Sequence, residues 1–590
     1  MADAVIAGPV AATAAAPSKR GFNTFWLVVP GVLFLAVFMI FPLGQMFSLA
    51  LAEKGELTTR FLAKAMSPGL YARILGNTFS VAFQVTVLCV LLGYPMACWL
   101  VGLKGRPQRL AAFCLLLPFW TSALIKNFSW MVLLGRTGII ARAAETLHLA
   151  NADSLLYKHM TVVFAMTHTM LPLAVITMLP VLQQIDRRLT LASMTLGASR
   201  GQSFWLVTLP LSVRGLSAAG LLVFVASLGF FVTPELLGGP ANAMIGQMII
   251  MQINELQNWP QGSALALVLL VSALTAVFVF DRVFGISSVA GTGETKRSSG
   301  GRMRKLGFGM VDWLGKATAV CGRWISYAAG RQILNGYALA ILFILMLPIF
   351  AFVPMSFAST NYLSFPPTGF SLRWYQEFVD SHIWMAATLR SFGVGIAAAA
   401  LAVSLGTLAA VGVIRGRSKL SGVVFMVLLA PLIIPPIALS ISLFYLFAQI
   451  GLVATDLGII IGHCVIALPI VFVILLASFK GYDWRLNDVA MTLGANRWQT
   501  IRSIAFPLLR GGLLAGFITG FLQSFEELTV ALFVGGGLRT TLPRQMWDSI
   551  LLQATPLIAA ASVIVLLIVI ALYGITEWLQ SRQRAPVRAA

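Results

Sequence analysis

MTLGANRWQTIRSIAFPLLRGG runs from Met491 to Gly512, and MTLGASRGQSFWLVTLPLSVRG runs from Met194 to Gly215. They start 297 positions apart, half the length of the 590-residue chain. Extended to the 32 residues that begin at Ile185 and Tyr482, this offset gives 14 identities. Among them are Asp186/Asp483, Arg188/Arg485, Gly197/Gly494, Ala198/Ala495, Arg200/Arg497, Gln202/Gln499 and Pro210/Pro507. Upstream the offset becomes 313, pairing Gly93 with Gly406, Pro118 with Pro431 and Gly138 with Gly451, so the first half carries a 16-residue insertion between Ala141 and Lys158. A similarity at this period marks a duplicated chain.

Composition says what was duplicated. Hydrophobic residues make up 58% of the chain and charged residues only 10%, with a mean hydropathy of +0.89, outside the range of a water-soluble domain. Twelve runs approach the ~20 apolar residues that a bilayer-spanning helix needs. They lie at 25–50, 75–103, 110–135, 160–182, 214–237, 261–285, 336–358, 386–414, 421–450, 458–480, 511–535 and 556–579. The expected fold is therefore an all-α polytopic membrane protein, surrounded by membrane lipid. Residues 1–285 and 335–590 form two homologous six-helix halves, and a Gly-, Ser- and Arg-rich linker spans 286–334. Both halves start on the same side, so they are parallel repeats. Within the linker, Phe308 and Trp313 allow either a surface-lying amphipathic helix or a flexible tether.

A net charge of +21 raises the question of nucleic acid. Most of the 41 Lys and Arg, however, fall in the N-terminus, the even-numbered connections and the C-terminus. That bias is the positive-inside rule, so basicity records a topology with both termini cytoplasmic, and no nucleic-acid partner is implied. The five cysteines and five histidines show no metal-ligand spacing.

The repeated segment lies in the connection between the fourth and fifth apolar runs of each half. Asp186 and Asp483 suit helix N-caps, with apolar residues following at Leu189 and Leu196 or at Leu486 and Leu493. Gly197 and Gly494 suit a left-handed C-cap, and Ser199 and Asn496 suit a second N-cap. The expected structure is helix, Gly-Ala turn, helix. Two such amphipathic hairpins on one face imply a partner with two equivalent grooves.

These residues resemble a known pattern. Asp488-Val-Ala-Met-Thr-Leu-Gly494-Ala495 and Leu191-Ala-Ser-Met-Thr-Leu-Gly197-Ala198, followed by Pro507 and Pro210, are similar to the E-A-A…G-A coupling loop of ABC importer permeases. The resemblance implies a type I permease fold and two copies of a cytoplasmic ABC ATPase, each taking one hairpin. The implied coupling residues are Asp186, Leu191, Gly197, Ala198 and Arg200 in one hairpin, and Asp483, Asp488, Gly494, Ala495 and Arg497 in the other. Asp488 conserves the carboxylate of the pattern and Leu191 does not. The chain has no G-x-x-x-x-G-K-[ST] phosphate loop, so ATP and Mg would be bound by the partner ATPase, and no cofactor by this chain. The short outer loops imply a separate periplasmic solute-binding protein, and the family implies the bacterial inner membrane.

Two longer stretches are similar to spermidine and putrescine permeases: Phe230 to Ala266 to one subunit, Leu522 to Ile550 to its partner. The chain thus resembles the two subunits fused, importing a small cationic solute. Glu526 and Glu527 fit that reading. Inside an apolar run, an unpaired carboxylate costs roughly 2.5 kcal/mol or more. Their first-half counterparts are Gly229 and Phe230, so the pair breaks the repeat as a site for an asymmetric ligand would. Trp120, Trp130 and Trp547 are candidate cation–π partners of an ammonium, or else interfacial anchors. Glu235 is a candidate site residue or a cap for Gly238 and Gly239. Lys126 is a candidate on the substrate path, and it or Arg390 could instead pair with Glu527. Prolines 118, 431, 435 and 436 are expected to break helices, whether along a transport path or in ordinary packing. The alternatives are a fused permease for iron(III), thiamine or an opine- or amino-acid-like compound, and an ion-coupled secondary transporter.

Overall fold

The computed structural model describes residues 23–53, 56–136, 138–146, 148, 155–284, 327–416, 418 and 420–583. The expected linker lies outside the described residues, apart from its last eight, which already belong to the helix that begins at Tyr327. Phe308 and Trp313 are also outside them.

In the first half the principal helices are α1 (Thr24–Leu51), α2 (Leu70–Gly102), α3 (Arg106–Trp120), α4 (Ala123–Leu134), α5 (Ile139–Thr146), α6 (His159–Gln184), α7 (Arg187–Thr195), α8 (Arg200–Leu228), α9 (Val232–Leu237), α10 (Ile245–Ile250) and α11 (Trp259–Phe284). In the second half they are α12 (Tyr327–Met355), α13 (Arg373–Asp380), α14 (His382–Arg415), α15 (Ser421–Leu429), α16 (Pro436–Ile450), α17 (Asp456–Lys480), α18 (Arg485–Thr492), α19 (Arg497–Phe525), α20 (Thr529–Val534), α21 (Leu542–Leu552) and α22 (Pro556–Gln583). Among the described residues nine helices are long and apolar enough to span a bilayer, and two bent pairs bring the number to eleven. The apolar part of α22, Pro556–Leu572, occupies the twelfth expected run. The insertion in the first half carries α5, which has no equivalent between Gly451 and Asp456.

The third run of each half is broken. The two segments meet at 92° in the first half and 95° in the second. Pro118 lies in the last turn of α3, whereas Pro435 caps α16 and Pro436 opens it. A proline ring lacks the amide that would continue the ladder and so weakens the helix there, although Pro95, Pro172 and Pro469 lie inside unbroken helices. The fifth run is shorter than expected at its far end: α8 stops at Leu228 and α19 at Phe525, each followed by a short, nearly fully buried helix, α9 or α20. Both α8 and α19 begin with a widened turn, Phe204–Thr208 and Ile501–Ala505, just before Pro210 and Pro507. There the Leu209 and Phe506 amides reach back five residues, a geometry that accommodates the following proline.

The repeat extends to places where the sequences differ. Thr78 Oγ1 accepts a hydrogen bond from the Ile245 amide at 2.9 Å, and at the equivalent positions Ser391 Oγ accepts from the Leu542 amide at 2.7 Å. Asn77 Nδ2 donates to the Ala243 carbonyl, and Arg390 donates to the carbonyl of Thr540.

The two halves are interlocked. The first helix of each packs on the other: α1 on α14, α15, α16 and α17, and α12 on α2, α3 and α4. Apolar packing is joined by a few hydrogen bonds between the halves, which satisfy polar groups inside the protein. Tyr337 donates to the Leu92 carbonyl at 2.6 Å, Trp99 Nε1 to Asn335 Oδ1 at 2.8 Å, and Gln45 Nε2 to Gln449 Oε1 at 2.9 Å.

Candidate functional site

Each hairpin has the local geometry its residues dictate. Asp186 Oδ1 accepts from the Arg188 amide at 2.9 Å and Asp483 Oδ1 from the Arg485 amide at 3.0 Å, satisfying donors at the start of α7 and α18. At the far ends Gly197 has φ +92° and Gly494 φ +89°, a region that L side chains avoid. The amide of Ala198 returns to the Ser193 carbonyl and that of Gly197 to Met194, while Ala495 returns to Ala490 and Gly494 to Met491. Both ends are Schellman motifs. Ser199 with Gln202, and Asn496 with Gln499, then form reciprocal capping boxes that open α8 and α19. The second helix of each hairpin is thus the start of a spanning helix, a continuity that the sequence pattern did not show.

Both hairpins leave apolar side chains uncovered. Leu196 is 88% exposed and Leu493 83%, and Leu189, Leu191, Leu486, Val489, Met491 and Trp498 are exposed as well. Leu191 and Asp488 occupy equivalent exposed positions, and Arg200 and Arg497 follow the turns on the outside. A helix pair with this surface fits a groove on another chain.

At their other ends α8 and α19 meet at a cavity of about 340 Å³ between the halves. Its first-half lining includes Ala123, Val225 and Phe230, its second-half lining Pro431, Ile434 and Ile470. Gly229 lies against the broken helix of the other half: a Cβ there would sit 3.3 Å from Pro435 and Pro436. The polar groups come from one side. Gln523, Glu526, Glu527 and Thr529 all follow from the end of α19.

The two glutamates do different work. Glu527 accepts from the amides of Thr529 at 2.9 Å, Val530 at 2.8 Å and Ala531 at 3.4 Å, so it caps the N-terminus of α20. Its Oε2 also lies 3.5 Å from His463 Nε2, and His463 Nδ1 meets the Ser524 hydroxyl at 2.7 Å. Arg544 closes the other end of α20 by donating to the Leu532 carbonyl, while holding Asp548 at 2.9 Å. Glu527 therefore pairs with neither Lys126 nor Arg390; Arg390 binds Asp456 at 3.1 Å. Glu526 is the available carboxylate, because its Oε1 is buried with no hydrogen-bond partner. Lys126, buried on α4, donates to the Pro118 carbonyl at 2.9 Å and interacts electrostatically with Glu526 across the interface.

Other expected residues lie elsewhere. Glu235 is in the first turn of α9, exposed, and accepts from Gln247 Nε2 at 2.6 Å; it caps neither Gly238 nor Gly239. Trp120 and Trp547 do not line the cavity. Trp547 is buried with its ring 5.6 Å from that of Phe231, and Trp130 packs edge-on against Phe164 and His168. Prolines 431, 435 and 436 do line it, which joins the broken helix of the second half to the space between the halves. His463 and Ser524 were not singled out from sequence, since a lone histidine or serine in an apolar run carries no pattern.

Paired bundles with a cavity between them, each presenting a hairpin at the equivalent end, define a duplicated transport permease. The chain belongs to the binding-protein-dependent transport system inner membrane components, which it matches over residues 18–287 and 402–585. It is a multi-pass protein of the inner membrane. It is 30% identical over 259 residues to the spermidine/putrescine transport system permease protein PotB of Haemophilus influenzae, covering 44% of this chain and 88% of that protein. With the spermidine/putrescine transport system permease protein PotC of Escherichia coli it shares 28% identity over 243 residues, covering 40% of this chain and 90% of that one. The two match different parts of the chain, as a fusion of two such subunits would. A crystal structure of a bacterial alginate ABC transporter, in complex with alginate pentasaccharide-bound periplasmic protein, is 17% identical, with a TM-score of 0.37 over 44% of this chain and 92% of that one.

Proposed function

We propose that the protein translocates a linear polyamine, such as spermidine or putrescine, as the permease of an ATP-driven importer. The observation that carries this is Glu526: a carboxylate with an unpartnered oxygen, in a cavity between the halves, with no counterpart in the first repeat. A ligand ammonium would supply the hydrogen bond that Lys126, whose Nζ donates to the Pro118 carbonyl, does not give this oxygen, and the apolar walls suit the methylene segments between ammonium groups. Names of the two permease relatives point the same way. Two copies of a cytoplasmic ABC ATPase would seat on the hairpins, binding and hydrolysing ATP with Mg, so that this chain is itself no enzyme. A periplasmic binding protein would deliver solute to the opposite face, with both termini cytoplasmic. ATPase closure would draw the hairpins together, and α8 and α19 would carry that movement to the cavity, exposing it alternately to the two sides.

The test is ATP-dependent uptake of radiolabelled spermidine into proteoliposomes that hold the permease, its ATPase and its binding protein. Glu526→Gln is expected to lower uptake by roughly a hundredfold, the scale of a lost desolvated charge contact, while assembly with the ATPase is retained. Uptake at the wild-type rate by this variant would sink the proposed site.

A further inference from the structure

The two hairpins are attached to their bundles differently. In the second half, the ring of Trp484 immediately precedes α18 and is held on several sides. The guanidinium of Arg415, at the end of α14, lies 5.0 Å over it; Phe479, from the end of α17, stacks at 6.2 Å and 15°; Tyr482 meets it edge-on at 5.0 Å and 89°. Tyr482 also donates to Asn487 Oδ1, on α18 itself, and both side chains are buried. Spanning helices α14 and α17 are thereby tied to the hairpin.

The first half has none of these rings. The counterparts of Phe479, Tyr482, Trp484 and Asn487 are Leu182, Ile185, Arg187 and Thr190, and Arg415 corresponds to Gly102. A cleft of about 510 Å³ is found there instead, lined by Leu182, Ile185, Arg187 and Thr190 together with Cys98 and Val101, the counterparts of Val411 and Ile414. The first half thus lacks the four packing residues of the second at the positions that line its cleft. The braced hairpin leads through a single helix, α19, directly to Glu526.

We infer that the Arg415–Trp484–Tyr482–Asn487 bracket makes the second hairpin the stiff transmission arm of the permease, while the first, standing over its cleft, yields under load. These are positioning residues that act through α18 and α19. The inference rests on the importer reading for its consequence, though not for the stiffness itself. The indole N–H of Trp484 has no hydrogen-bond partner, so the ring faces make the bracket and Trp484→Phe should preserve it.

Two measurements test this on the full chain. Amide hydrogen exchange in lipid nanodiscs needs neither ATPase nor solute. Amides of 485–492 should exchange more slowly than those of 187–195 by roughly tenfold or more, the lower end of the scale for two aromatic pairs with one cation–π contact, and Trp484→Ala should abolish the difference. In the proteoliposome assay, Trp484→Ala should lower spermidine moved per ATP hydrolysed roughly tenfold, the scale of coupling between distant sites. Trp484→Phe should restore the ratio, and Ile185→Ala with Arg187→Ala should leave it unchanged. Equal exchange in the two wild-type hairpins, or equal loss of coupling from the two sets of substitutions, would overturn the inference. Should the wild type move no spermidine, the proposed substrate fails while the exchange result still decides the bracket. Should Trp484→Ala not assemble, Arg415→Gln, which removes only the cation, takes its place in both measurements.

Discussion

Adjacent glutamates with the same chemistry end in unlike roles because the helix α20 begins two residues after the second of them. Glu527 sits where the first amides of α20 have no helical acceptor, and its carboxylate supplies one. Glu526, one position earlier, lines the cavity and has an oxygen without a hydrogen-bond partner. Removing Glu527 should therefore damage the fold first. Glu527→Ala leaves buried donors unmet and should cost about 2 kcal/mol, seen as a lower midpoint for thermal unfolding in detergent. Glu526→Gln leaves buried Lys126 without its opposite charge, so it should also lower that midpoint, but it should lower uptake far more than Glu527→Ala does at equal loss of stability. A sequence shows both as acidic residues in an apolar run; which one is a cap depends on where α19 stops.

At the level of elements, the hairpin was legible because its signals are local. Asp, Gly and Ser or Asn at fixed offsets specify cap, turn and cap, and the structure places each accordingly. What was not legible is that its second helix continues for 29 residues across the membrane. The positive φ of Gly494 makes a clear prediction. Gly494→Pro demands φ near −65° and removes the amide that bonds Met491, a conflict worth about 3 kcal/mol at the turn. ATP hydrolysis by the assembled complex should persist while uptake falls roughly tenfold. Gly197→Pro should cost less uptake if the second hairpin is the stiff arm. The difference between Leu191 and Asp488 lies on exposed surface, so exchanging the two should change stability little.

Across the whole molecule, each half completes the other by exchanging its first helix, so neither has a closed surface alone. Separate expression of residues 1–300 or 301–590 should give little stable protein, while co-expression should restore a complex that copurifies. Accumulation of either fragment alone at the level of the intact chain would show that the exchanged helices contribute little. A green fluorescent protein fused after Ala590 should fluoresce, as expected of a cytoplasmic C-terminus under the distribution of Lys and Arg.

Duplication, the apolar runs, the charge bias and the hairpin caps were determined by the sequence by itself, because each depends on neighbours within one or two turns or on the bilayer as solvent. The helix exchange, the cavity between α8 and α19, the division of labour between Glu526 and Glu527, and the bracket around Trp484 were decided only by tertiary structure. Each joins residues far apart in the chain, and whether a carboxylate is satisfied or a cleft is filled depends on side chains that no local pattern brings together.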